Sequence, residues 1–334
     1  MKVLLYFESE KLISTSGIGR ALKHQKEALT SVGVEYTTDP WDESFDILHI
    51  NTIGINSTGI INKAKKEGIP VVYHAHSTEE DFKNSFIFSN QIAPFFKKRL
   101  IDLYSTANVI ITPTPYAKRL LQGYGISNEI VAISNGIDLK RFEYDAEKVK
   151  AFKKYFSLKE DDKVVLSVGL YFERKGLLDF VEIAKALPEY KFIWFGYTPL
   201  YLVPKVIRDV IEDHPSNVLF PGYVKGGIIE GAYMASNAFF FPSYEETEGI
   251  VVLEALSAKQ EVIVRNIGVY EGWLEDKVNC YMGETNEEFI ELIRGVVEKE
   301  LPPVAGEAYK TAEQRSIHNI GLELKKVYEK VLGK

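Results

Sequence analysis

Short runs of β-branched and aromatic residues alternate with longer amphipathic stretches along the whole chain, and the series restarts near its middle. Strands separated by helical segments favour parallel pairing, with helices packed on both faces of the sheet. Two such series predict an α/β chain with two doubly wound parallel sheets. The predicted strands are Val3–Phe7, Ile47–Ile50, Val71–Ala75, Val109–Thr112, Ile130–Ile133, Val164–Val168, Phe192–Phe195, Val218–Phe220, Ala238–Phe241 and Val262–Val264.

The length of the chain also favours two domains, because 334 residues exceed what one hydrophobic core comfortably holds. The junction is expected near the quartet Asn135-Gly136-Ile137-Asp138. We therefore assign residues 1–140 to a first domain and residues 141–308 to a second. The last helical region, residues 309–334, is long enough to cross back onto the first domain.

Charge and composition exclude several classes of protein. A net charge of −7 and a pI near 5.6 argue against nucleic acid as a partner. Residues 1–140 carry no net charge, so the remainder carries all of it. Cys280 is the only cysteine, which excludes an internal disulfide and a cysteine-based metal site. Glu8 follows the amino terminus too early for a secretory signal, and we expect a cytoplasmic enzyme.

Two carboxylates stand eight positions apart, Glu246 and Glu254, after the predicted strand Ala238–Phe241. Gly249 between them and the helical run that follows indicate a tight loop and a helix start. Loop N–H groups and the helix dipole suit a diphosphate, and the carboxylates suit hydroxyls on either side of it. A nucleotide sugar offers that order of groups. The spacing alone is more typical of a solvated acidic loop, but the carboxyl end of a strand favours a ligand site.

Two turns at strand ends add groups that suit a phosphate. Ser16-Gly17-Ile18-Gly19-Arg20 follows the first strand, and its glycines allow a backbone to approach a ligand closely. Arg174 and Lys175 follow the first strand of the second half. The planar guanidinium of Arg174 and the point charge of the Lys175 ammonium both suit a diphosphate. Taken alone, a plain glycine turn and a solvated turn explain the two motifs equally well.

The third predicted strand ends in Tyr73-His74-Ala75-His76. Alternation places His74 and His76 on one face, but no third ligand stands at a suitable spacing, so no metal site is expected. We expect His76 to contact a sugar or phosphate, and His74 to be a packed histidine with a satisfied ring.

Aromatic residues and a basic cluster occur together between residues 82 and 99. Such a segment suits docking on anionic lipid headgroups, although a helix packed in the core is the commoner explanation. The residues predicted to meet the membrane are Phe86, Phe88, Phe95, Phe96, Lys97, Lys98 and Arg99.

These motifs, in this order, resemble the retaining glycosyltransferases of family 4, which have the GT-B architecture. The resemblance spans almost the whole chain, and its most specific part is Pro242-Ser243 through Glu254. It implies two Rossmann-like doubly wound parallel-sheet domains facing across a cleft, with a nucleotide sugar held mainly by the second. It also implies no metal ion and no other cofactor, because cationic side chains neutralise the leaving diphosphate.

The resemblance further implies residue roles. Glu254 would hold the ribose, while Gly17 and Gly19 would close over the donor from the first domain. The catalytic residues would be His76, beside the reacting sugar, and Arg174, Lys175 and Glu246. The donor-binding residues would be Gly17, Gly19, Arg174, Lys175, Glu246, Thr247, Glu248, Gly249, Ile250 and Glu254.

Two positions depart from the family pattern. Leu170 stands where members commonly carry an arginine, and Arg174 is expected to take over part of that role. Glu248 stands where an aromatic residue is common, which leaves the identity of the donor sugar open.

Within the family, the short length and several motifs are similar to bacterial enzymes that glycosylate diacylglycerol lipids. The size resembles the enzyme that adds a second sugar to monoglucosyldiacylglycerol, forming a lipoteichoic acid anchor glycolipid. This implies a hexosyltransferase that uses UDP-glucose or UDP-galactose, peripheral on the inner face of the cell membrane, with an anionic membrane surface as partner.

Two alternatives remain open at this point. The first is a glycosyltransferase that acts on a soluble, capsule or cell-wall sugar. The second is a non-catalytic module that binds a nucleotide sugar. The joint presence of Arg174, Lys175, Glu246 and Glu254 weighs against the second, because a binding module does not need a clamp on a leaving group.

Overall fold

The computed structural model describes residues 1–8 and 17–333, and Ser16 of the first glycine-rich turn lies outside them. The chain forms two compact units. Unit 1 comprises Met1–Phe82, Gln91–Ile137 and Arg315–Lys334, and unit 2 comprises Lys83–Asn90 and Asp138–Gln314. The segment Lys83–Asn90, assigned by sequence to the first domain, therefore groups with unit 2.

Unit 1 is built on a six-stranded sheet. Its strands are β1 (Lys2–Tyr6), β2 (Glu35–Thr37), β3 (Ile47–Ile50), β4 (Val71–His74), β5 (Val109–Thr112) and β6 (Glu129–Ala132). They lie in the order β2-β1-β3-β4-β5-β6, and every pair is parallel.

Unit 2 repeats this plan with a second parallel six-stranded sheet. Its strands are β7 (Val164–Val168), β8 (Lys191–Phe195), β9 (Val218–Gly222), β10 (Ala238–Phe241), β11 (Val262–Arg265) and β12 (Tyr281–Gly283). Their order is β12-β11-β10-β7-β8-β9. The order reverses beside β7, and at such a switch point the carboxyl ends of neighbouring strands leave room for a ligand.

Helices connect the strands in both units. In the first half they are α1 (Gly17–Ser31), α2 (Ile55–Lys66), α3 (Glu79–Phe82), α4 (Ser89–Tyr104) and α5 (Pro115–Gly123). In the second half they are α6 (Ala146–Tyr155), α7 (Leu177–Ala186), α8 (Lys205–Glu212), α9 (Gly227–Ala235), α10 (Ile250–Ser257), α11 (Asn286–Val297), α12 (Ala305–Gln314) and α13 (Ile317–Val331).

The sheet of unit 1 is buried on both faces, which explains why its strands are almost continuously apolar. Successive side chains point to opposite faces. Leu4 therefore packs with Leu100 of α4 on one face. Val3 packs with Leu29 of α1 and Leu324 of α13 on the other.

The core of unit 2 is rich in aromatic rings. Phe180 of α7 packs edge-to-face against Phe192 and Trp194 of β8, with ring centroids 5.3 and 5.1 Å apart. Phe240 of β10 and Phe289 of α11 continue this cluster. The packing anchors the strand that leads into the candidate site.

The predicted fold class is confirmed, and each predicted strand is present with ends within two residues. The sequence analysis did not predict β2 and β12, which are edge strands of only three residues each. The C-terminal helix predicted for residues 309–334 is instead two helices, α12 and α13. No helix in the described part of the chain combines the length and apolar character needed to cross a membrane.

Candidate active site

The loop between β10 and α10 carries the predicted donor site and lies wholly within unit 2. β10 is buried at every position and delivers Pro242 and Ser243 into the loop. Gly249 ends the loop with φ 88° and ψ 63°, a left-handed conformation that suits glycine because it lacks a Cβ. The helix then begins at Ile250, so its first backbone N–H groups point back toward the loop.

Gly176 allows the turn that carries Arg174 and Lys175, the cationic turn, to pack against this loop. The loop between β10 and α10, residues 242–249, is called the donor loop below. Its φ is 75°, and a Cβ at this position would lie 2.4 Å from the carbonyl oxygen of Pro242. Only glycine allows such a close approach of the two backbones. The contact explains why Lys175, which directly precedes Gly176, reaches the loop.

Glu246 is the centre of the charged contacts in the loop. Its Oε1 accepts hydrogen bonds from the Lys175 ammonium and from Ser243 Oγ, the latter at 2.8 Å. The Arg174 guanidinium lies 3.9 Å from the same oxygen. Burial raises the pKa of Glu246, but the charges of Lys175 and Arg174 and the hydrogen bonds outweigh it and hold the pKa below its usual value. The carboxylate is therefore ionised.

Arg174 is buried and joins the loop to the segment Lys83–Asn90. Its Nε donates to Ser85 Oγ at 2.9 Å, and one terminal nitrogen donates to the carbonyl of Glu245 at 2.8 Å. Its backbone N–H donates to the carbonyl of Asn84. These contacts give Arg174 a role in holding the loop, and its predicted role at the phosphates stays a prediction.

Glu254 lies within α10 and is almost completely buried, with 1% of its surface exposed. Its Oε2 accepts a hydrogen bond from the Tyr233 hydroxyl at 2.9 Å, and Arg141 lies 3.6 Å from Oε1. Arg141 is itself held by Glu230 at 2.8 Å. These contacts fix the orientation of the carboxylate predicted to bind the ribose.

The remaining predicted donor residues divide between the units. Glu248 and Gly249 are buried in unit 2, and Thr247 and Ile250 are half-buried beside them. Gly17 and Gly19 lie in the first turn of α1 in unit 1, where Gly17 is exposed.

His74 and His76 lie in unit 1 with their rings stacked, as their predicted placement on one face requires. The ring centroids are 4.2 Å apart, and His49 stacks on His74 at 5.4 Å. Burial lowers the pKa of His76 to about 3. His74 is packed as predicted, but the prediction that its whole ring is satisfied by hydrogen bonds is wrong. Its buried Nε2 has no hydrogen-bond partner among the described residues.

No group of three or more His, Cys, Asp and Glu side chains in the described ranges is arranged to hold a metal ion. The absence of a metal requirement stays a prediction.

Three of the residues predicted to meet a membrane are exposed. Phe95 on α4 has 76% of its surface exposed, and Phe88 just before the helix has 67%. Lys98 is also exposed. Ile92, one turn before Phe95, has 44% of its surface exposed and was not predicted.

The other predicted membrane residues have partners within the protein. Lys97 pairs with Glu79 at 2.9 Å, and Arg99 donates to the carbonyl of Gly54 at 2.7 Å. Phe86 and Phe96 are only half-buried. Phe96 stacks on Phe82, with ring centroids 4.0 Å apart. Lys97 and Arg99 therefore stabilise unit 1.

Several residues that contact the predicted site residues were not predicted from the sequence. Tyr233 and Arg141 carry no local motif, because they reach Glu254 only through the packing of α9 and the turn Leu139–Phe142. The sequence did contain a pattern that indicates Asn51 and His49. The His-x-Asn ending of β3 repeats the His-x-His ending of β4, and parallel neighbours bring such endings together.

Comparison with known proteins identifies the family. Models of Glycosyltransferase Family 4 and of Glycosyl transferases group 1 match residues 41–141 and 148–315. A processive diacylglycerol alpha-glucosyltransferase of Acholeplasma laidlawii is 46% identical over 333 residues, which is 99% of each chain. The chain belongs to glycosyltransferase family 4. It is therefore a glycosyltransferase.

Other similar proteins share less sequence with this chain. An alpha-monoglucosyldiacylglycerol synthase of A. laidlawii is 29% identical over 80% of this chain and 70% of its own. The structure of Anabaena HepE in complex with UDP-glucose covers 99% of this chain and 100% of its own, with a TM-score of 0.78 at 16% identity. This likeness establishes the GT-B fold.

Proposed function

We propose that the protein transfers a hexose, with retention of configuration, from a UDP-sugar to monoglucosyldiacylglycerol, giving a diglycosyldiacylglycerol. The observation that carries the proposal is the ionised Glu246, held by Lys175 and Ser243 beside the start of α10. The name of the relative from A. laidlawii supports a diacylglycerol-based acceptor and favours glucose as the sugar.

The donor would place its diphosphate at the start of α10. Helix N–H groups and Lys175 would stabilise the negative charge that develops as the bond between the sugar and UDP breaks. Glu246 keeps the Lys175 ammonium in place before the donor arrives, so little reorganisation is needed. No metal ion is required in this proposal, because the protein itself supplies the positive charge.

The acceptor hydroxyl would attack the sugar from the face that UDP leaves. The bond from C1 to the phosphate oxygen breaks as the bond from C1 to the acceptor oxygen forms, and the β-phosphate takes the acceptor proton. The protein then contributes mainly positioning and electrostatic stabilisation. Glu254, oriented by Tyr233, would accept hydrogen bonds from the ribose hydroxyls.

The acceptor would be met at the inner face of the cell membrane, with the protein bound peripherally from the cytoplasm. A diacylglycerol lipid leaves the bilayer only at a cost of about 0.8 kcal/mol per exposed CH₂ group. The exposed Ile92 and Phe95 and the neighbouring Lys98 support docking of α4 on an anionic surface.

Incubation of the purified protein with UDP-glucose and UDP-galactose in parallel tests this function. The acceptors are vesicles of diacylglycerol, vesicles of monoglucosyldiacylglycerol, and soluble sugars. We expect an α-linked product on monoglucosyldiacylglycerol without added metal. Transfer to soluble sugars alone would establish the soluble-acceptor alternative, and UDP-sugar binding without any transfer would establish a binding module.

A further inference from the structure

Gln25 and Asn51 form a buried hydrogen-bonded chain with two histidines in unit 1. The Gln25 amide nitrogen donates to Asn51 Oδ1 at 2.8 Å and lies 2.9 Å from His74 Nδ1. Asn51 Oδ1 also lies 2.9 Å from His76 Nε2. All four side chains are at least nine-tenths buried. His76 is thus held through one ring nitrogen, Nε2.

With both amides in this orientation, these hydrogen bonds set which nitrogen of each ring carries the proton. Because Gln25 donates, His74 Nδ1 accepts, and the His74 proton lies on Nε2. Because Asn51 Oδ1 accepts, the His76 proton also lies on Nε2. His76 Nδ1 then carries a lone pair and has no hydrogen-bond partner among the described residues.

The same three contacts survive if both amides turn over together. Gln25 Oε1 would then accept from Asn51 Nδ2 and from His74 Nδ1, and Asn51 Nδ2 would donate to His76 Nε2. Both ring protons would lie on Nδ1. The outer amide atoms, Gln25 Oε1 and Asn51 Nδ2, have no partner among the described residues, so no other hydrogen bond opposes this exchange. In either arrangement the two histidines share one tautomer.

We propose that Asn51 and Gln25 are positioning residues for His76, and that they couple its tautomer to that of His74. The proposal rests on the proposed function only in assigning a sugar hydroxyl as the partner of His76 Nδ1. The coupling allows Nδ1 to offer either a lone pair or an N–H to that hydroxyl, without any net charge.

The depressed pKa of His76, about 3 because of burial, agrees with a neutral ring. His76 then acts as a hydrogen-bonding group at neutral pH. A residue that transfers a proton would need a pKa nearer to neutrality. In this role His76 does not take the proton of the acceptor hydroxyl, which goes to the leaving phosphate instead.

Ring-nitrogen NMR of ¹⁵N-histidine-labelled protein tests the coupling without any substrate. We expect His74 and His76 to show the same tautomer. Gln25→Glu offers only acceptor oxygens, so it should place both ring protons on Nδ1. Asn51→Asp should place the His76 proton on Nε2. Different tautomers on the two rings of the unsubstituted protein would overturn the proposal, whether or not transfer is observed.

Turnover distinguishes a positioning role from a structural one. Gln25→Glu and Asn51→Asp set opposite tautomers of His76, so their kcat values should differ by about tenfold or more, with the affinity for UDP unchanged in both. Equal kcat values with opposite tautomers would overturn the role assigned to Nδ1. If the charged variants do not fold, Gln25→Met removes the coupling without a charge, and unchanged tautomer ratios on both rings in that variant would equally contradict it.

Tyr328→Phe is the matched control. It removes the 2.6 Å hydrogen bond between Tyr328 and His49 Nδ1, at the other end of the histidine stack. His74, His76 and turnover should not change. A tautomer change in this variant would show that stacking, and not the two amides, sets the ring protons.

Discussion

Lys175 and Arg174 are neighbours in sequence but do different work in the structure. The Lys175 ammonium ends at Glu246, on the surface that would meet a diphosphate. The Arg174 guanidinium is tied to Ser85 and to the carbonyl of Glu245. Loss of Lys175 should therefore affect chemistry and leave the Glu246 carboxylate without its ion-pair partner, whereas loss of Arg174 should affect chemistry and also release the loop between β10 and α10 from Ser85.

Lys175→Ala should lower kcat about a hundredfold, equivalent to roughly 3 kcal/mol of transition-state stabilisation, and should also lower the melting temperature, because it leaves the buried Glu246 carboxylate without its ion-pair partner. Arg174→Ala should lower both kcat and the melting temperature. Steady-state kinetics and thermal unfolding measure the two effects. Ser85→Ala, which removes one Arg174 contact, serves as the control and should lower only the melting temperature. Near-normal turnover of Lys175→Ala would remove this residue from the mechanism.

Glu246, in the loop between β10 and α10, and Glu254, in α10, should respond differently to substitution. Glu254→Gln should weaken the binding of UDP, because Glu254 is assigned to the ribose. Glu246→Gln should leave UDP affinity nearly unchanged and impair sugar transfer. Calorimetry with UDP and kinetic assays compare them. Tyr233→Phe removes only the hydrogen bond that orients Glu254, and it should weaken the binding of UDP by about 1 kcal/mol. Equal losses of UDP affinity in both glutamate variants would contradict the assignment.

The pKa of Glu246 predicts a pH dependence of stability. Because the folded protein holds this pKa below the usual value of 4.5, ionised Glu246 stabilises the fold above that pH. The contribution is lost as the pH falls below 4.5 and through the folded pKa. The melting temperature of the protein should exceed that of Glu246→Gln at about pH 7, and the difference should shrink toward about pH 3. If the difference in melting temperature stayed constant over this pH range, ionised Glu246 would not be the group that stabilises the fold.

The helix α4 shows how an element divides its residues between stability and surface. Ile92 and Phe95 are exposed, whereas Leu100 of the same helix is buried against the sheet. Lys97 and Arg99 turn back to partners in unit 1. The docking surface that we propose on α4 is therefore the line of Ile92, Phe95 and Lys98.

Phe95→Ser should weaken binding to anionic vesicles by about 2 kcal/mol, because a large apolar side chain no longer enters the interface. Lys98→Ala should weaken it by about 1 kcal/mol. Sedimentation with vesicles at low salt measures both. Leu322→Ser, which changes a residue with 43% exposure on α13, is the matched control and should bind normally. Unchanged binding of Phe95→Ser would exclude α4 as the docking element.

At the scale of the whole molecule, most of the residues predicted to bind the donor lie in one of two compact units. A ligand stabilises the part of a protein that it binds, by about 2.7 kcal/mol at a hundredfold excess over its Kd. The response to UDP should therefore be strongest in unit 2.

Hydrogen exchange with and without UDP tests this expectation. Protection should rise most in residues 169–176 and 246–257, which contain the cationic turn, the donor loop and α10. If Gly17 and Gly19 also close over the donor, the first turn of α1 should gain protection. Unchanged exchange in the donor loop at saturating UDP would contradict the donor assignment.

The sequence by itself determined the two parallel sheets and the place of the donor loop. Strand-length apolar runs such as Val164–Val168 need burial on both faces, and the intervening helices supply it. Gly249 indicated the tight loop, in which its positive φ suits glycine. These features are local in sequence, so periodicity and residue type were sufficient to predict them.

Only the tertiary structure decided which side chains meet across the sequence. Arg174 reaches Ser85, which lies 89 positions away, and Glu254 is oriented by Tyr233 from another helix. The return of the chain at Ser316, which pairs with Ile137, is likewise a contact between distant segments. Side-chain partners depend on how helices pack on a sheet, and a periodic pattern specifies the buried face of a helix without specifying its neighbour.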